Sequence, residues 1–567
     1  MITKNGKILA AATIVSTGTS GMAAYFPIKN TGGGIAYTCA KYGSNWPKDV
    51  TNTVSFNSGA AGIMVGSGNT PESEDDYRLE SQITSGLSAS TPSVATLEDT
   101  DGNPVKAYTF TLTNTSNADI TIREIGFGQG IAYTTTKGAN PNTFGAIFLL
   151  DRTVLSSPIT IPVDGYAAIK YSIRTVLTGD EPTTVHENDV EFIDYDGSIV
   201  ASYSAADFAN LTALPANPSH TGLTAQGWNW TLSDAKDYVA AHGALVIGQV
   251  YITDDGKTRI YITSVAERPT ICVSIAVNGT ATIDWGDGTT PDTVTGTSAS
   301  TLKDTTHTYA AQGDYVIAIG VTGTMAIGGD QSNGSRLVWS GSSSGNSIYR
   351  SMINKVEVGA NCDIMTFTFN GCVDIETITI PNGVSFTGNA WASGCYSLKS
   401  ITIPKGVTNL RQSAFKECYD LKRVSLGTGL TQLYQYAFND CRVLRKITLP
   451  TGMTQIGSEV FKRCDACKVL TFPNSMTGIA DSACYYMVSL PKLTIPASVT
   501  SISSSAFYYN AGLEEIHFKP TTPPTVGSNA FQGLPTDCKI YVPTGSLSAY
   551  TGAGNYPNSS TYTYIEE

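Results

Sequence analysis

Apolar residues recur along the last third of the chain on a strict period. Seven segments carry them at positions 1, 4 and 6: Ile375–Pro381, Leu398–Pro404, Leu421–Gly427, Leu444–Pro450, Cys467–Pro473, Leu490–Pro496 and Leu513–Lys519. Successive segments start 23 residues apart. Each reads as a short strand, and the proline that usually follows has no N–H to donate, so it ends pairing at a corner. A second apolar cluster comes after each turn, as in Ser413–Phe415, Tyr436–Phe438 and Ser505–Phe507. One such coil cannot bury its own side chains. The pattern therefore predicts a solenoid of stacked coils, ~4.8 Å per coil and about 35 Å long over seven coils.

Upstream, the period shortens to that of half-buried strands. Tyr108–Thr113 and Ile120–Ile125 alternate and are joined by a turn from Asn114 to Asp119. Ile159–Pro162 and Ala168–Ile173 read as another strand–turn–strand pair around Asp164-Gly165, so residues 1–180 are expected to form a β-sandwich. Residues 181–267 read as a small α+β module. Phe192–Val200 is a hairpin turning at Asp196-Gly197, and Val250–Ile262 repeats it around Asp255-Gly256. Thr231–Asp234 caps a helix with apolar Leu232, Ala235, Tyr238 and Val239, and Gly243 ends it. Trp228 and Trp230, just before the helix, are expected to be buried against it. A Gly/Ser-rich connection and solenoid N-cap occupies 326–364, and 544–567 is a C-terminal cap or tail. The fold class is mainly β and multidomain.

The repeat resembles the BspA-type leucine-rich repeat, whose consensus runs L-x-x-I-x-I-P and then V-T-x-I-x-x-x-A-F-x-x-C. Leu398 to Cys418 meets it through Val407-Thr408, Leu410, Ala414-Phe415 and Cys418, and the likeness covers about residues 365–543. It implies protein or glycan recognition at surfaces and no catalysis. Thr282–Thr289, with its Asp-Trp-Gly-Asp-Gly core, is followed by His307-Thr-Tyr309 and Gly313–Ile319. These are similar to a PKD domain over about residues 268–325. That resemblance implies an immunoglobulin-like sandwich with Trp285 and Tyr315 in its core and a tight turn at Asp287-Gly288. A calcium site built on Asp284 and Asp287 is weighed against a plain turn, and the turn is preferred. The texture of the first 180 residues, including Gly66–Pro71, Asp75–Glu80 and Phe148–Thr153, is similar to N-terminal domains of tailed-phage structural proteins from gut bacteria. This implies that the N-terminal domain anchors the chain to other virion proteins.

Composition narrows the function. Charged residues make up 14% of the chain and the net charge is −12, which argues against gripping nucleic acid. No run of ~18 apolar residues is present, so no membrane-inserted helix is expected. Lys4 and Lys7 precede Ile8–Val15, an apolar run too short for a good secretion signal, and a first strand is preferred there. Of eleven cysteines, Cys372, Cys395, Cys418, Cys441 and Cys464 fall at intervals of 23. A fixed interval marks one recurring packing slot, and Met487 and Asn510 take that slot in later coils. Unpaired thiols in such number fit folding in a reducing cytosol.

The chain offers little catalytic chemistry. Gly341–Gly345 matches G-x-S-x-G but lacks a preceding strand and a following helix. The histidines His186, His220, His242, His307 and His517 show no metal spacing. Glu72, Glu74, Asp75 and Asp76 read as a solvated loop. No catalytic, cofactor-binding or metal residues are expected, and no cofactor.

The expectation is a non-enzymatic phage virion appendage, a tail fibre or head fibre. Its PKD-like and repeat domains would meet a host-surface protein or glycan, and a homotrimer would suit such a fibre. The alternative is a secreted bacterial cell-surface adhesin of the BspA-like type, although no L-P-x-T-G sorting motif is present. Candidate ligand contacts are Tyr396, Tyr419, Tyr434, Tyr436, Tyr485, Tyr486, Tyr508 and Tyr509, because exposed tyrosines offer contact area at low entropy cost.

Overall fold

The computed structural model describes residues 189–567 apart from 265–267, 331, 333, 343–348 and 387. Upstream it describes ten strands between Tyr25 and Arg174 and the turn residues 115–119 and 162–163. The chain divides into two compact units, Met1–Pro182 and Thr183–Glu567. Glu72, Glu74, Asp75, Asp76, His186 and the second half of the Gly341–Gly345 motif lie outside the described residues.

The first unit is built of strands in two sheets. In one, Ile120–Thr134 pairs with Ala61–Gly66 and Thr143–Ile161. In the other, Pro104–Asn114 pairs with Leu87–Ala89, Ser93–Glu98 and Tyr166–Arg174. Thr143–Ile161 and Tyr166–Arg174 therefore do not pair as the hairpin expected from sequence around Asp164-Gly165, two residues that lie outside the described ones. These two strands belong to different sheets, and so do those joined by 115–119. Asn114 holds the second crossing. It is buried and donates to the carbonyls of Ala118 (2.8 Å) and Ile161 (3.0 Å) while accepting from the Ser116 amide.

The second unit opens with a four-stranded sheet in the order Ile199–Tyr203, Val190–Ile193, Leu245–Thr253, Leu223–Trp228. The central pair is parallel, and the chain between its two strands passes through both outer strands before helix Leu232–His242 leads into Leu245–Thr253. Its ends are as the sequence requires: the Thr231 hydroxyl accepts from the Asp234 amide, and Gly243 closes it at φ 82°. Trp228, Trp230, Tyr238 and Val239 pack with Phe192 and Ile247 between helix and sheet. The turn at Asp255-Gly256 again changes sheets, because Thr258–Ser264 pairs with Gly313–Ile327 and Ile353–Glu357.

That next sheet runs Asp292–Thr308, Thr270–Asp284, Gly313–Ile327, Thr258–Ser264, Ile353–Glu357, Thr377–Thr379. The three strands between Thr270 and Ile327 thus share one hydrogen-bonded sheet with the first strand of the repeats. Trp285 is fully buried, and Tyr309 donates its hydroxyl to the Trp285 carbonyl at 3.0 Å. Tyr315, expected in the core, is half-buried and stacks on Tyr309 (4.1 Å between centroids). Gly286 and Gly288 have φ of 77° and 80°, the left-handed region such a turn demands.

From residue 377 on, the chain coils. Parallel strands such as Ser400–Thr402 on Arg423–Ser425, and Lys492–Ile495 on Glu515–Phe518, stack one coil apart. A second ladder of two-residue strands runs from Asn409–Leu410 to Thr525–Val526. At the corner after it, each coil places two residues in the left-handed region, four apart: Ser413 and Glu417, Tyr436 and Asp440, Glu459 and Arg463, Ser482 and Tyr486, Ser505 and Tyr509. Helix Leu547–Thr551 and strand Thr563–Glu566 close the last coil. Tyr550, Tyr556 and Tyr564 donate their hydroxyls there to the carbonyls of Pro520, Pro524 and Pro557.

The cysteine slot lies inside this core. Cys395, Cys418, Cys441 and Cys464 are buried, and each thiol donates to a main-chain carbonyl of the previous coil at 3.2–3.4 Å. Burial pushes all four thiols well above their ordinary range. Ten cysteines among the described residues are buried.

Candidate recognition surface

Only part of the ladder face of the solenoid is open. The outward residues of the early ladder strands, Thr377, Thr379, Ser400, Thr402, Ser425, Lys446 and Thr448, are all buried. The sheet of residues 190–253 lies face-on against them. Asn229 donates to the Ile403 carbonyl (3.0 Å), and the Ser425 hydroxyl donates to the Val246 carbonyl (2.9 Å). Trp230 Nε1 reaches the Leu426 carbonyl at 2.9 Å, and the Tyr238 hydroxyl donates to the Leu449 carbonyl at 2.8 Å. A buried ion pair joins Glu191 to Lys446 at 2.7 Å, with Arg423 at 3.4 Å.

Glycine permits this approach. A Cβ on Gly248 would collide with the side chains of Thr402 and Ser425, and one on Gly197 would press on Ser400. Charge also matches: residues 189–257 hold nine Asp and Glu against two Lys, while 399–468 hold twelve Lys and Arg against five Asp and Glu. Sequence reasoning missed this docking. Its signals were a glycine in a buried strand and small hydroxyl residues where an open ladder face would carry long polar ones.

Beyond the docked sheet the ladder face is open. Lys492, Thr494 and Lys539 are exposed. His517 sits between Glu515 (3.1 Å) and Glu567 (3.0 Å) and stacks on Tyr541.

The eight tyrosines singled out from sequence all lie beside the second corner, but not in one environment. Tyr396 is buried and stacks on Tyr419 (5.0 Å), so it packs the coil and offers no open ring. Burial raises its hydroxyl above the ordinary range. Tyr419 is half-buried under the Arg442 guanidinium, and Tyr434 is half-buried under that of Arg411. Tyr436 is half-buried at a left-handed position. The other four form a block. Tyr485 stacks on Tyr508 (4.9 Å, 12° between planes) and Tyr486 on Tyr509 (5.3 Å, 11°). Tyr486 and Tyr509 are 36% and 41% exposed.

These coils match the sequence model described as the BspA type leucine rich repeat region, in six copies, over residues 346–468 and 431–547. The solenoid is made of BspA-type leucine-rich repeats. Among solved structures, the chain is similar to a leucine rich repeat protein of T. pallidum, 24% identical, with a TM-score of 0.28 over 32% of this chain and 84% of that one. A leucine-rich repeat protein from Bacteroides ovatus is 19% identical, with a TM-score of 0.25 over 38% of this chain and 66% of that one. A leucine rich cell surface protein from Faecalibacterium prausnitzii is 18% identical, with a TM-score of 0.17 over 34% and 82%. No curated protein matches the chain.

Polar clusters elsewhere act as braces. Asp194 accepts from the Tyr251 hydroxyl (2.8 Å) and pairs with His220 at 2.7 Å. His307 pairs with Asp287 and stacks on Trp285, and His242 contacts the Tyr238 carbonyl. Asp284 and Asp287 accept from the amides of Gly286 and Thr289, the bonds of a turn. Among the described residues no group of His, Cys, Asp and Glu is arranged to hold a metal ion, and no helix is long and apolar enough to cross a membrane.

Proposed function

We propose that this chain is a non-enzymatic binding protein displayed at a bacterial cell surface, an adhesin of the BspA-like type. The observation that carries this reading is the run of BspA-type repeats with an uncovered corner of stacked tyrosines. Its ligand is a protein or glycan on another surface. The acidic module at 189–257 supports the solenoid by occupying part of its ladder face, so recognition falls to the corner and to the open end of the ladder. The braced histidines fit a scaffold better than a reaction centre. Surface labelling tests the reading: an antibody to the repeats should label intact producing cells, and purified chain should bind target cells saturably. Absence of both would sink it.

A second reading has one observation in its favour. The buried cysteines of the repeat slot, their thiols bonded to main-chain carbonyls and not to one another, suit assembly in a reducing cytosol, as for a phage appendage held to other virion proteins by residues 1–180 and showing its PKD-like strands and repeats to the host. The same antibody would then label virions and leave intact cells dark.

A further inference from the structure

Two columns of residues run along the second corner. One contains Lys462, Tyr485 and Tyr508, the other Arg463, Tyr486 and Tyr509. Main-chain bonds join them: the Arg463 amide donates to the Tyr485 carbonyl, and the Tyr486 amide to the Tyr508 carbonyl. Four rings and two cations therefore share one outward face. Lys462 Nζ lies 5.0 Å from the Tyr485 ring and 2.8 Å from Glu459, and the Arg463 side chain, 3.8 Å from Asp440, is 43% exposed, so a ligand carboxylate would compete with these two acidic side chains. Val488, on the same coil as Tyr485 and Tyr486, is 38% exposed.

The hydroxyls distinguish this block from the packed tyrosines of the C-terminal cap. Tyr550, Tyr556, Tyr562 and Tyr564 each donate to a main-chain carbonyl, as a packed phenol must. Those of Tyr485, Tyr486, Tyr508 and Tyr509 have no hydrogen-bond partner among the described residues. Their faces are engaged with one another, and Tyr509 also covers Gly533. The rings thus turn edges and hydroxyls outward, a row of donor-acceptor groups rather than apolar anchors.

We propose that Tyr485, Tyr486, Tyr508 and Tyr509, with Lys462 and Arg463, form a binding site for an extended acidic polysaccharide. This rests on the surface-binding reading and names its ligand. A sugar chain presents hydroxyls at a regular interval, which suits groups repeating every ~4.8 Å along stacked coils. Its carboxylates meet the cations at the end of the tyrosine row, in the stretch where the acidic chain concentrates its positive charge. A protein partner would favour aromatic groups able to insert into a pocket, and these rings are already stacked.

Polygalacturonate and neutral dextran, titrated against the full-length chain by calorimetry, test the site. Polygalacturonate should bind and weaken as salt rises, and dextran should not bind. Tyr486→Ala/Tyr509→Ala and Lys462→Gln/Arg463→Gln should each weaken binding by about tenfold or more. An unchanged circular dichroism spectrum would show that both variants fold. No polygalacturonate binding, equal binding of dextran, or full affinity in both variants would overturn the proposal. Cell binding separates the two readings. If both variants bind target cells as the parent does, the polysaccharide site is wrong and the surface-binding reading stands. If the parent chain binds no cells, the surface-binding reading itself falls.

Discussion

A thiol is a weak donor, yet four cysteines of the solenoid each add a second hydrogen bond to a carbonyl one coil back that already accepts from a main-chain amide. Asn510, in the same slot of a later coil, instead accepts from the Met487 amide at 2.9 Å. Met487 fills the slot of the coil between them with a buried thioether, so the slot requires burial and tolerates different side-chain chemistry. Cys418→Ala should cost about 1–3 kcal/mol in urea unfolding, from the lost sulfur volume and the bond together. Native protein should leave these thiols unmodified by an alkylating reagent until it unfolds, because burial raises their pKa. Asp465 behaves oppositely to most carboxylates. Burial lifts it to about 6, against the pull of Arg463 and Arg442. The folded state then holds its proton more tightly than the unfolded one. Its stabilising effect is full below the unfolded pKa and is lost as pH rises through about 6. Asp465→Asn should therefore be more stable than the parent at pH 7, by up to about 2 kcal/mol, and the gap should shrink towards pH 4. The even spacing of the cysteines was enough to read them as a packing slot. Their carbonyl partners were not legible, because they depend on how adjacent coils align.

At the scale of elements, docking of the 190–253 sheet on the early ladder strands decides which surface is free. Gly248 is the narrowest point. Gly248→Val should push the two layers apart, costing several kcal/mol, and thermal unfolding with limited proteolysis of 189–257 would report it. Lys446→Met tests the electrostatic part. It leaves Glu191 buried with only Arg423 at 3.4 Å and should cost about 3–5 kcal/mol. Helix Leu232–His242 was readable residue by residue, since its caps and apolar face are local features. The strand pairings around Asp164-Gly165 and Asp255-Gly256 were not. A turn motif says that the chain reverses, but not whether the next strand pairs with the last one or crosses to another sheet. The repeat succeeded for a related reason: a coil stacks on its neighbour in sequence, so its pairing partner is fixed by the period itself.

For the whole molecule, uneven charge is the useful guide. A net charge of −12 describes the average, while the central coils are basic and the module docked on them is acidic. The overall figure excluded nucleic acid as a partner in the sequence reading, but it hid this internal match. The tyrosine set was legible as a cluster, and its division into packed Tyr396 and the open block at 485–509 required the coil geometry. On the proposed reading, a braced, non-catalytic solenoid recognises another surface through that open block. Flow cytometry of labelled full-length chain on target cells, beside Tyr486→Ala/Tyr509→Ala, addresses it most directly. Saturable binding by the parent is expected, with a loss of about tenfold or more in the variant. No saturable binding by the parent, or equal binding by both, would contradict it.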